Sequence, residues 1–306
     1  MGKIAFVFSG QGAQYTGMGR ELYETSPAAR EVLNNAEKIR PGTIEQCFTG
    51  SSEELLRTEN TQPCIYCVDL AAAEALKEAG VSADMLAGFS LGEVAALTFS
   101  GAFTQETGFK LVCTRAELMQ KASENITAGM AAVLKLSDDD VVKLCSDFEN
   151  VYPVNYNCDG QVVVAGLKDQ LEPFMLSVKE AGGRAMPLKV SGGFHSPFMQ
   201  GAASVFADVL AAVQISDPGL PLYSNYAAKP YDGIIRELLT KQICNPVLWR
   251  QTVENMIEAG ADTFIEVGPG KTLCGLISRI SDKVRTLNVE DSASFEKTIK
   301  EVKNNA

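Results

Sequence analysis

The segment Gly-Phe-Ser-Leu-Gly at residues 88–92 joins an apolar run to a helix-forming run, and few backbone paths can connect the two. The preceding residues 85–87 are Met-Leu-Ala and predict a short buried strand, whereas residues 91–98 are rich in Ala and Leu and predict a helix. A serine on so sharp a turn needs neighbours without a Cβ, which glycine provides. The pattern is typical of a nucleophile elbow, in which Ser90 stands at a helix N-terminus whose free N–H groups stabilise negative charge.

His195 is the single histidine of the chain, and it lies in a small-residue loop that reads Ser-Gly-Gly-Phe-His-Ser-Pro over residues 191–197. If Ser90 reacts with the help of an imidazole base, His195 has to be that base. Its place in a loop favours function, because loops carry function more often than packed helical faces do. At this stage two alternatives stay open: a structural histidine, and an ordinary strand-to-helix turn around the serine.

Composition limits the classes of protein and partner. The 306 residues are 46% hydrophobic and 21% charged, which is enough for one large domain or two ordinary ones. The net charge of −11 disfavours binding to nucleic acid or to an anionic membrane, so an anionic substrate needs a local cationic site. No run approaches the roughly 18 apolar residues of a membrane span. The short apolar run at residues 4–8 predicts a buried first strand, and we expect a cytoplasmic protein.

The eight cysteines are scattered, and the one close pair is Cys64 and Cys67. Zinc would require further ligands at close spacing, and the sequence has no second pair of this kind. We therefore predict that the cysteines are small apolar residues of the core, with no metal and no bound cofactor. The pair falls in a predicted helix over residues 61–79, with Thr61 as its N-cap and Pro63 in its first turn.

The order of predicted elements is that of an α/β protein interrupted once. A strand at residues 3–8 is followed by helices, by the strand before the elbow and by a helix from Thr104 to Lys121. Residues 129–190 then predict strand, helix, strand, strand, helix and strand, after which the α/β pattern resumes. We therefore predict a large α/β-hydrolase-like domain with a parallel central sheet (1–126 and 194–306) and an inserted ferredoxin-like (βαββαβ) domain (127–193). The cleft between them is the expected substrate site.

Six separated motifs occur in an order that resembles a known family. They are Phe8-Ser9-Gly10-Gln11-Gly12-Ala13-Gln14, Gly88-Phe89-Ser90-Leu91-Gly92-Glu93, Arg115 with Met119-Gln120, Gly193-Phe194-His195-Ser196, Pro246-Val247-x-Trp249 and Glu266-Val267-Gly268-Pro269-Gly270. The set is similar to that of the malonyl-CoA:acyl carrier protein transacylases and of the acyltransferase domains of polyketide and fatty acid synthases. The resemblance extends from residue 5 to about residue 290.

The resemblance implies ping-pong transfer of a malonyl group for fatty acid biosynthesis. Ser90 attacks the thioester of malonyl-CoA while His195 accepts its proton, and the phosphopantetheine thiol of acyl carrier protein then attacks the malonyl-serine ester. Because His195 takes up and returns a proton in both halves, we expect its pKa near the operating pH. The implied partners are malonyl-CoA as substrate and acyl carrier protein, and we expect a monomer.

The family pattern also implies the other site residues. The backbone N–H groups of Gln11 and Leu91 form the oxyanion hole, and the main-chain carbonyl of Gln242 orients the histidine, so no catalytic acid is needed. Arg115 pairs with the free carboxylate of malonyl, to which a planar guanidinium can bind bidentately. The chain departs from the family at Phe89, where histidine is common, so the resemblance leaves the fine acyl preference open.

Alternative functions stay open at this stage. The acyltransferase could serve a polyketide pathway instead of fatty acid synthesis. A serine hydrolase or thioesterase would use the same elbow, although an α/β-hydrolase would place an acid between serine and histidine in chain order. A catalytically idle scaffold is a further alternative, which the combination of Ser90, His195 and Arg115 disfavours.

Overall fold

A computed structural model describes residues 2–190 and 192–304 of the chain. The strands in these ranges are β1 (Lys3–Phe8), β2 (Met85–Gly88), β3 (Ala128–Leu134), β4 (Val151–Cys158), β5 (Gln161–Leu167), β6 (Arg184–Pro187), β7 (Leu222–Tyr223), β8 (Ala261–Val267) and β9 (Arg285–Val289). They form one parallel and one antiparallel sheet. The predicted mixed α/β class with a parallel sheet is therefore confirmed.

Helices cover both parts of the fold. They are α1 (Arg20–Thr25), α2 (Pro27–Ile39), α3 (Thr43–Thr49), α4 (Thr58–Glu78), α5 (Leu91–Phe99), α6 (Gln105–Glu124), α7 (Asp138–Ser146), α8 (Lys168–Glu180), α9 (Gln200–Ala211), α10 (Ile235–Cys244), α11 (Trp249–Glu258), α12 (Thr272–Ile280) and α13 (Ser292–Asn304). Short 3₁₀ segments lie at Glu54–Leu56 and Pro197–Met199.

The parallel sheet has the strand order β7-β2-β1-β8-β9. Its central strand β1 is buried from Ile4 to Phe8, as expected for a parallel strand covered on both faces. The ends of β1 and β2 are in register, with Phe8 opposite Gly88. The loop after β1 and the turn after β2 therefore leave the same edge of the sheet side by side, which is where open α/β sheets bind their ligands.

The second sheet is antiparallel and has the order β4-β5-β3-β6. Its elements follow one another as strand, helix, strand, strand, helix and strand, and α7 and α8 pack on it through a separate apolar cluster that includes Val133, Val164 and Phe174. The last strand ends at Pro187, before the predicted Val190. Beyond it the Val190 N–H bonds to the Leu188 carbonyl, and this tight turn takes the chain out of the ladder.

Helix α4 begins earlier than the sequence predicts. It starts at Thr58, so Thr61 is not its N-cap and Pro63 lies inside the helix, beyond its first turn. The hydroxyl of Thr61 donates to the carbonyls of Leu55 and Arg57 instead of accepting from a helical N–H. Pro63 has no N–H, so the hydrogen bond that this position would make to the carbonyl four residues earlier is missing near the start of the helix.

The predicted domain ranges include residues 1, 191, 305 and 306, which lie outside the described residues. Among the described residues, we find no helix with the length and hydrophobicity that a membrane crossing requires. In the same ranges, no three or more His, Cys, Asp or Glu side chains gather in an arrangement that could hold a metal ion. Cys64 and Cys67 are buried in the apolar core as free thiols, which is where the sequence places them.

Candidate active site

Ser90 occupies a strained turn between β2 and α5. Its φ is 54° and its ψ is −106°, a conformation that non-glycine residues adopt rarely. A Cβ on Gly88 would lie 2.0 Å from the carbonyl carbon of Gly92, and a Cβ on Gly92 would lie 2.4 Å from the carbonyl oxygen of Phe8. The two glycines therefore allow the backbones of the turn and of β1 to approach each other. As a result, the serine lies at the carboxyl ends of the strands.

Ser90 and His195 come together although they are far apart in sequence. The hydroxyl Oγ of Ser90 lies 2.8 Å from Nε2 of His195, and Nδ1 of the same ring lies 2.7 Å from the main-chain carbonyl oxygen of Gln242. A carbonyl oxygen can only accept, so Nδ1 carries the proton and Nε2 is free to accept from the serine. This tautomer is the one that a general base needs.

The pKa of His195 differs from the sequence-based expectation. Burial, and then the nearby positive charge of Arg115, lower its pKa to about 3, while the hydrogen bond to Gln242 works in the opposite direction. The sequence predicts a pKa near the operating pH because it reveals neither the 4% exposure of this side chain nor the guanidinium beside it. In the free site the imidazole is therefore neutral at physiological pH.

Arg115 projects from α6 into the site and is fully buried. One of its terminal nitrogens donates to Oγ of Ser90 at 3.0 Å and to Oε1 of Gln242 at 2.8 Å, and the other donates to Oε1 of Gln62 at 2.7 Å. Burial lowers its pKa to about 10, and the charge of Glu93 opposes this shift, so the guanidinium stays charged at neutral pH. A buried cation whose direct partners are neutral oxygens is suited to receive an anionic ligand.

Gln11 and Leu91 flank the serine from two directions. Leu91 is the first residue of α5, and Gln11 follows Gly10 on the loop after β1. A Cβ on Gly10 would lie 2.8 Å from the carbonyl oxygen of Phe89, so glycine is required for this loop to pack against the turn. In the part of the chain that the structure describes, neither the Gln11 nor the Leu91 N–H has an acceptor. Two unpaired backbone donors beside Ser90 are available to a developing oxyanion.

A buried carboxylate lies beneath these residues, and the sequence analysis assigned it no function. Glu93 on α5 accepts hydrogen bonds from Nε2 of Gln242 at 2.8 Å, from the Asn225 N–H at 3.1 Å and from the Tyr231 hydroxyl. The signal available in the sequence is that Glu93 is the one charged residue of an otherwise apolar helix. A buried carboxylate requires hydrogen-bond partners, so its presence in such a helix indicates a specific arrangement of polar groups around it.

Asn225 is the second residue that the sequence analysis missed. Its Oδ1 accepts from the Ser90 N–H at 2.7 Å, and its Nδ2 donates to the Gly88 carbonyl at 2.6 Å. It follows β7, which pairs with β2 next to the elbow.

Phe89, the departure from the family pattern, packs edge-on against Trp249 with ring centroids 5.5 Å apart.

Comparisons with known proteins identify the family of the chain. The sequence profile of the acyl transferase domain family matches residues 5–306. The malonyl CoA-acyl carrier protein transacylase of Bacillus subtilis (strain 168) is 38% identical, and the alignment covers 100% of both chains. The crystal structure of a malonyl CoA-acyl carrier protein transacylase from Clostridium perfringens superposes with a TM-score of 0.94 at 40% identity, over 99% of this chain and 98% of that one.

A third relative was solved with a partner. It is a malonyl-transacylase in complex with its type II PKS acyl-carrier protein, and it superposes with a TM-score of 0.94 at 33% identity, over 98% of this chain and 99% of that one. The chain belongs to the acyl transferase family, together with the malonyl CoA-acyl carrier protein transacylases that it resembles along its whole length.

Proposed function

We propose that this enzyme transfers the malonyl group of malonyl-CoA to the phosphopantetheine thiol of acyl carrier protein through a malonyl ester on Ser90. The observation that carries the proposal is the buried guanidinium of Arg115, 3.0 Å from the same Oγ that bonds to His195. A nucleophile, a base and a fixed cation in one pocket fit an acyl donor that has a negative charge close to its reacting carbonyl. The relatives named as malonyl transacylases support this choice of donor.

In the first half-reaction Ser90 Oγ attacks the thioester carbonyl while its proton passes to Nε2 of His195. The carbonyl oxygen becomes an oxyanion, to which the N–H groups of Gln11 and Leu91 donate. The intermediate collapses by breaking the C–S bond, and the departing CoA sulfur takes the proton from Nε2. The products are the malonyl-serine ester, free CoA thiol and a neutral imidazole, so protons and electrons balance.

The second half-reaction repeats these steps with a different nucleophile. The phosphopantetheine thiol gives its proton to Nε2 of His195 as its sulfur attacks the ester carbonyl. The oxyanion forms again in the same place, and the C–O bond to Ser90 then breaks. Oγ recovers the proton from Nε2, and the malonyl thioester of the carrier protein leaves.

Arg115 selects the acyl group in this scheme. In the ester a single methylene separates the carbonyl carbon on Oγ from the malonyl carboxylate, so a guanidinium within hydrogen-bond distance of Oγ can reach that carboxylate. The carboxylate replaces Ser90 and Gln242 as the acceptor of the Arg115 N–H groups. An acetyl group offers no such acceptor, and a site built for a polar group discriminates strongly against substrates that lack it.

The finer description of the fold belongs to the same proposal. We assign a ferredoxin-like insert to residues 127–193, supported by its strand order and by its separate apolar cluster, and a large domain to residues 1–126 and 194–306. The parallel strands follow the order 3-2-1-4-5 of doubly wound sheets, so the hydrolase-like character rests on the nucleophile turn. The cytoplasmic location stays a prediction.

The identity of the acyl carrier protein that accepts the malonyl group distinguishes fatty acid biosynthesis from a polyketide pathway. We propose fatty acid biosynthesis, and one structural relative was solved with a type II PKS acyl-carrier protein, so both kinds of carrier need testing. The experiment supplies malonyl-CoA to the enzyme with and without each holo-carrier and follows free malonate and malonyl-carrier. Rapid malonyl-carrier formation with little free malonate supports the transferase. Equal malonate release with and without carrier would establish a hydrolase instead.

A further inference from the structure

In the interior of the protein, Glu93 has the hydrogen-bond contacts of an ionised carboxylate. It is fully buried, and its hydrogen-bond partners are the Tyr231 hydroxyl, the Gln242 side-chain amide and the Asn225 N–H. All three can donate to it, and a carboxylate can only accept. Its hydrogen bonds reach neither Oγ of Ser90 nor the ring of His195, so the reaction scheme gives it nothing to do.

The first connection from Glu93 to the reacting groups passes through Gln242. The Nε2 that donates to Glu93 also donates to the Ser90 carbonyl at 2.7 Å, and Oε1 accepts from Arg115 at 2.8 Å. The main-chain carbonyl of the same residue holds Nδ1 of His195 at 2.7 Å. Fixing this one glutamine therefore fixes the histidine, the arginine and the backbone of the serine relative to one another.

The second connection passes through Asn225. While its backbone N–H donates to Glu93, its side chain accepts from the Ser90 N–H and donates to the Gly88 carbonyl. These two contacts hold the backbone on the N-terminal side of the strained Ser90, while the Gln242 amide holds the Ser90 carbonyl on the other side. A strained backbone persists only where the surroundings determine it, and Asn225 supplies that constraint.

We propose that Glu93 is a positioning residue of the active site, whose carboxylate holds Gln242 and Asn225 and thereby sets the placement of His195 against Ser90. The inference rests on the proposed function, since it assigns to Glu93 the geometry of the Ser90–His195 reaction. The two connections converge on one carboxylate, so its removal loosens the base and the nucleophile together. A shift of about 1 Å in such a pair can cost about 100-fold in rate.

The test measures the rate at which malonyl-CoA acylates Ser90 in a single turnover, together with the thermal midpoint of unfolding. Glu93→Ala removes the acceptor of three hydrogen-bond donors, and we expect acylation to slow by about 100-fold. Glu93→Gln keeps an oxygen for Gln242 and Asn225 and can turn its amide toward the Tyr231 hydroxyl, which also accepts. We expect this conservative variant to lose less than about 10-fold, as a rescue of the alanine variant.

Glu266→Gln is the matched control, because Glu266 is also a fully buried carboxylate but accepts from the Cys274 N–H, which belongs to none of the contacts of Ser90, His195 or Glu93 described above. It should acylate at the wild-type rate whatever its thermal midpoint. Tyr231→Phe removes one anchor of Glu93 and should lower kcat several-fold, which keeps the test decisive if Glu93→Ala does not fold. A folded Glu93→Ala enzyme with the wild-type acylation rate, or equal large losses in both Glu93 variants, would overturn the inference. If Glu93→Ala does not fold, a wild-type rate in Tyr231→Phe would overturn it. A wild-type enzyme that takes up no malonyl at all would instead contradict the proposed function.

Discussion

The guanidinium of Arg115 donates a hydrogen bond to Oγ of Ser90 at 3.0 Å. The group proposed to select the substrate therefore contacts the nucleophile directly, and it also lowers the pKa of the base, His195. Substrate choice and the chemical step are consequently joined in one buried pocket. When a malonyl carboxylate pairs with the arginine, its negative charge offsets this effect on the imidazole, which eases protonation of His195 during the reaction.

Replacing Arg115 should change which acyl group is transferred. In Arg115→Ala we expect kcat/KM for malonyl-CoA to fall by about 100- to 1,000-fold, because two charge-assisted hydrogen bonds to the carboxylate are lost. Transfer from acetyl-CoA should be unchanged or faster. Lys110→Ala is the control on the same helix, since its side chain is exposed. Equal losses with both donors would show that Arg115 has a structural role only.

A methyl group on Gly10 should damage the oxyanion hole. The Cβ of Gly10→Ala would lie 2.8 Å from the Phe89 carbonyl oxygen, so the loop that carries Gln11 has to move away from Ser90. Loss of one donor costs about 100- to 1,000-fold in kcat in other enzymes. Gly275→Ala is the matched control, because a Cβ there meets nothing within 4 Å. A Gly10→Ala enzyme with wild-type kcat would exclude Gln11 from this function.

The free energy of unfolding should depend on pH in the way that a neutral, buried histidine requires. The pKa of His195 is lowered to about 3 in the folded protein, so between pH 6.5 and 3 the unfolded state binds the proton and the folded state does not. Stability is therefore lost as the pH falls through this window. Between pH 7 and pH 5 the loss from His195 is about 2 kcal/mol. Urea denaturation of the wild type and His195→Gln at both values measures it, and an equal pH dependence in the two proteins would contradict the assignment.

The pH profile of acylation should report Glu93 and not His195. Burial raises the pKa of the Glu93 carboxyl to about 7, whereas His195 stays neutral down to about 3. The facing groups do not titrate in this range, since Arg115 stays charged and burial raises the pKa of Tyr231 well above its usual value. We therefore expect kcat/KM to fall below pH 7 toward the level of Glu93→Gln. That variant should show no such step, and an identical step in it would assign the titration elsewhere.

Part of this site could be predicted from the sequence because its signals are local. The glycines around Ser90 indicate that the backbone of the turn lies close to another backbone segment. Because the chain has a single histidine, there is no choice of imidazole base. The contacts of Glu93 are different, because Asn225, Tyr231 and Gln242 lie more than 130 residues away in the chain. Only the folded sheet brings them together, and the pKa of His195 is set by its burial and by Arg115, neither of which is visible in the sequence.

The same distinction holds for the fold. The βαββαβ order of residues 129–190 follows from periodicity, whereas the start of α4 depends on where Thr61 finds its carbonyl partners. The strand β9 pairs only with β8 at the edge of the sheet and is half-exposed over much of its length, so its pattern is weak. The sequence accordingly predicts no strand at this position.

The most direct test of the central claim is the intact mass of the enzyme after brief exposure to malonyl-CoA. We predict one malonyl adduct on Ser90 in the wild type, none in Ser90→Ala, and loss of the adduct when holo-acyl carrier protein is added, with the malonyl group recovered on the carrier. An adduct that forms in Ser90→Ala, or one that the carrier protein cannot remove, would contradict the account.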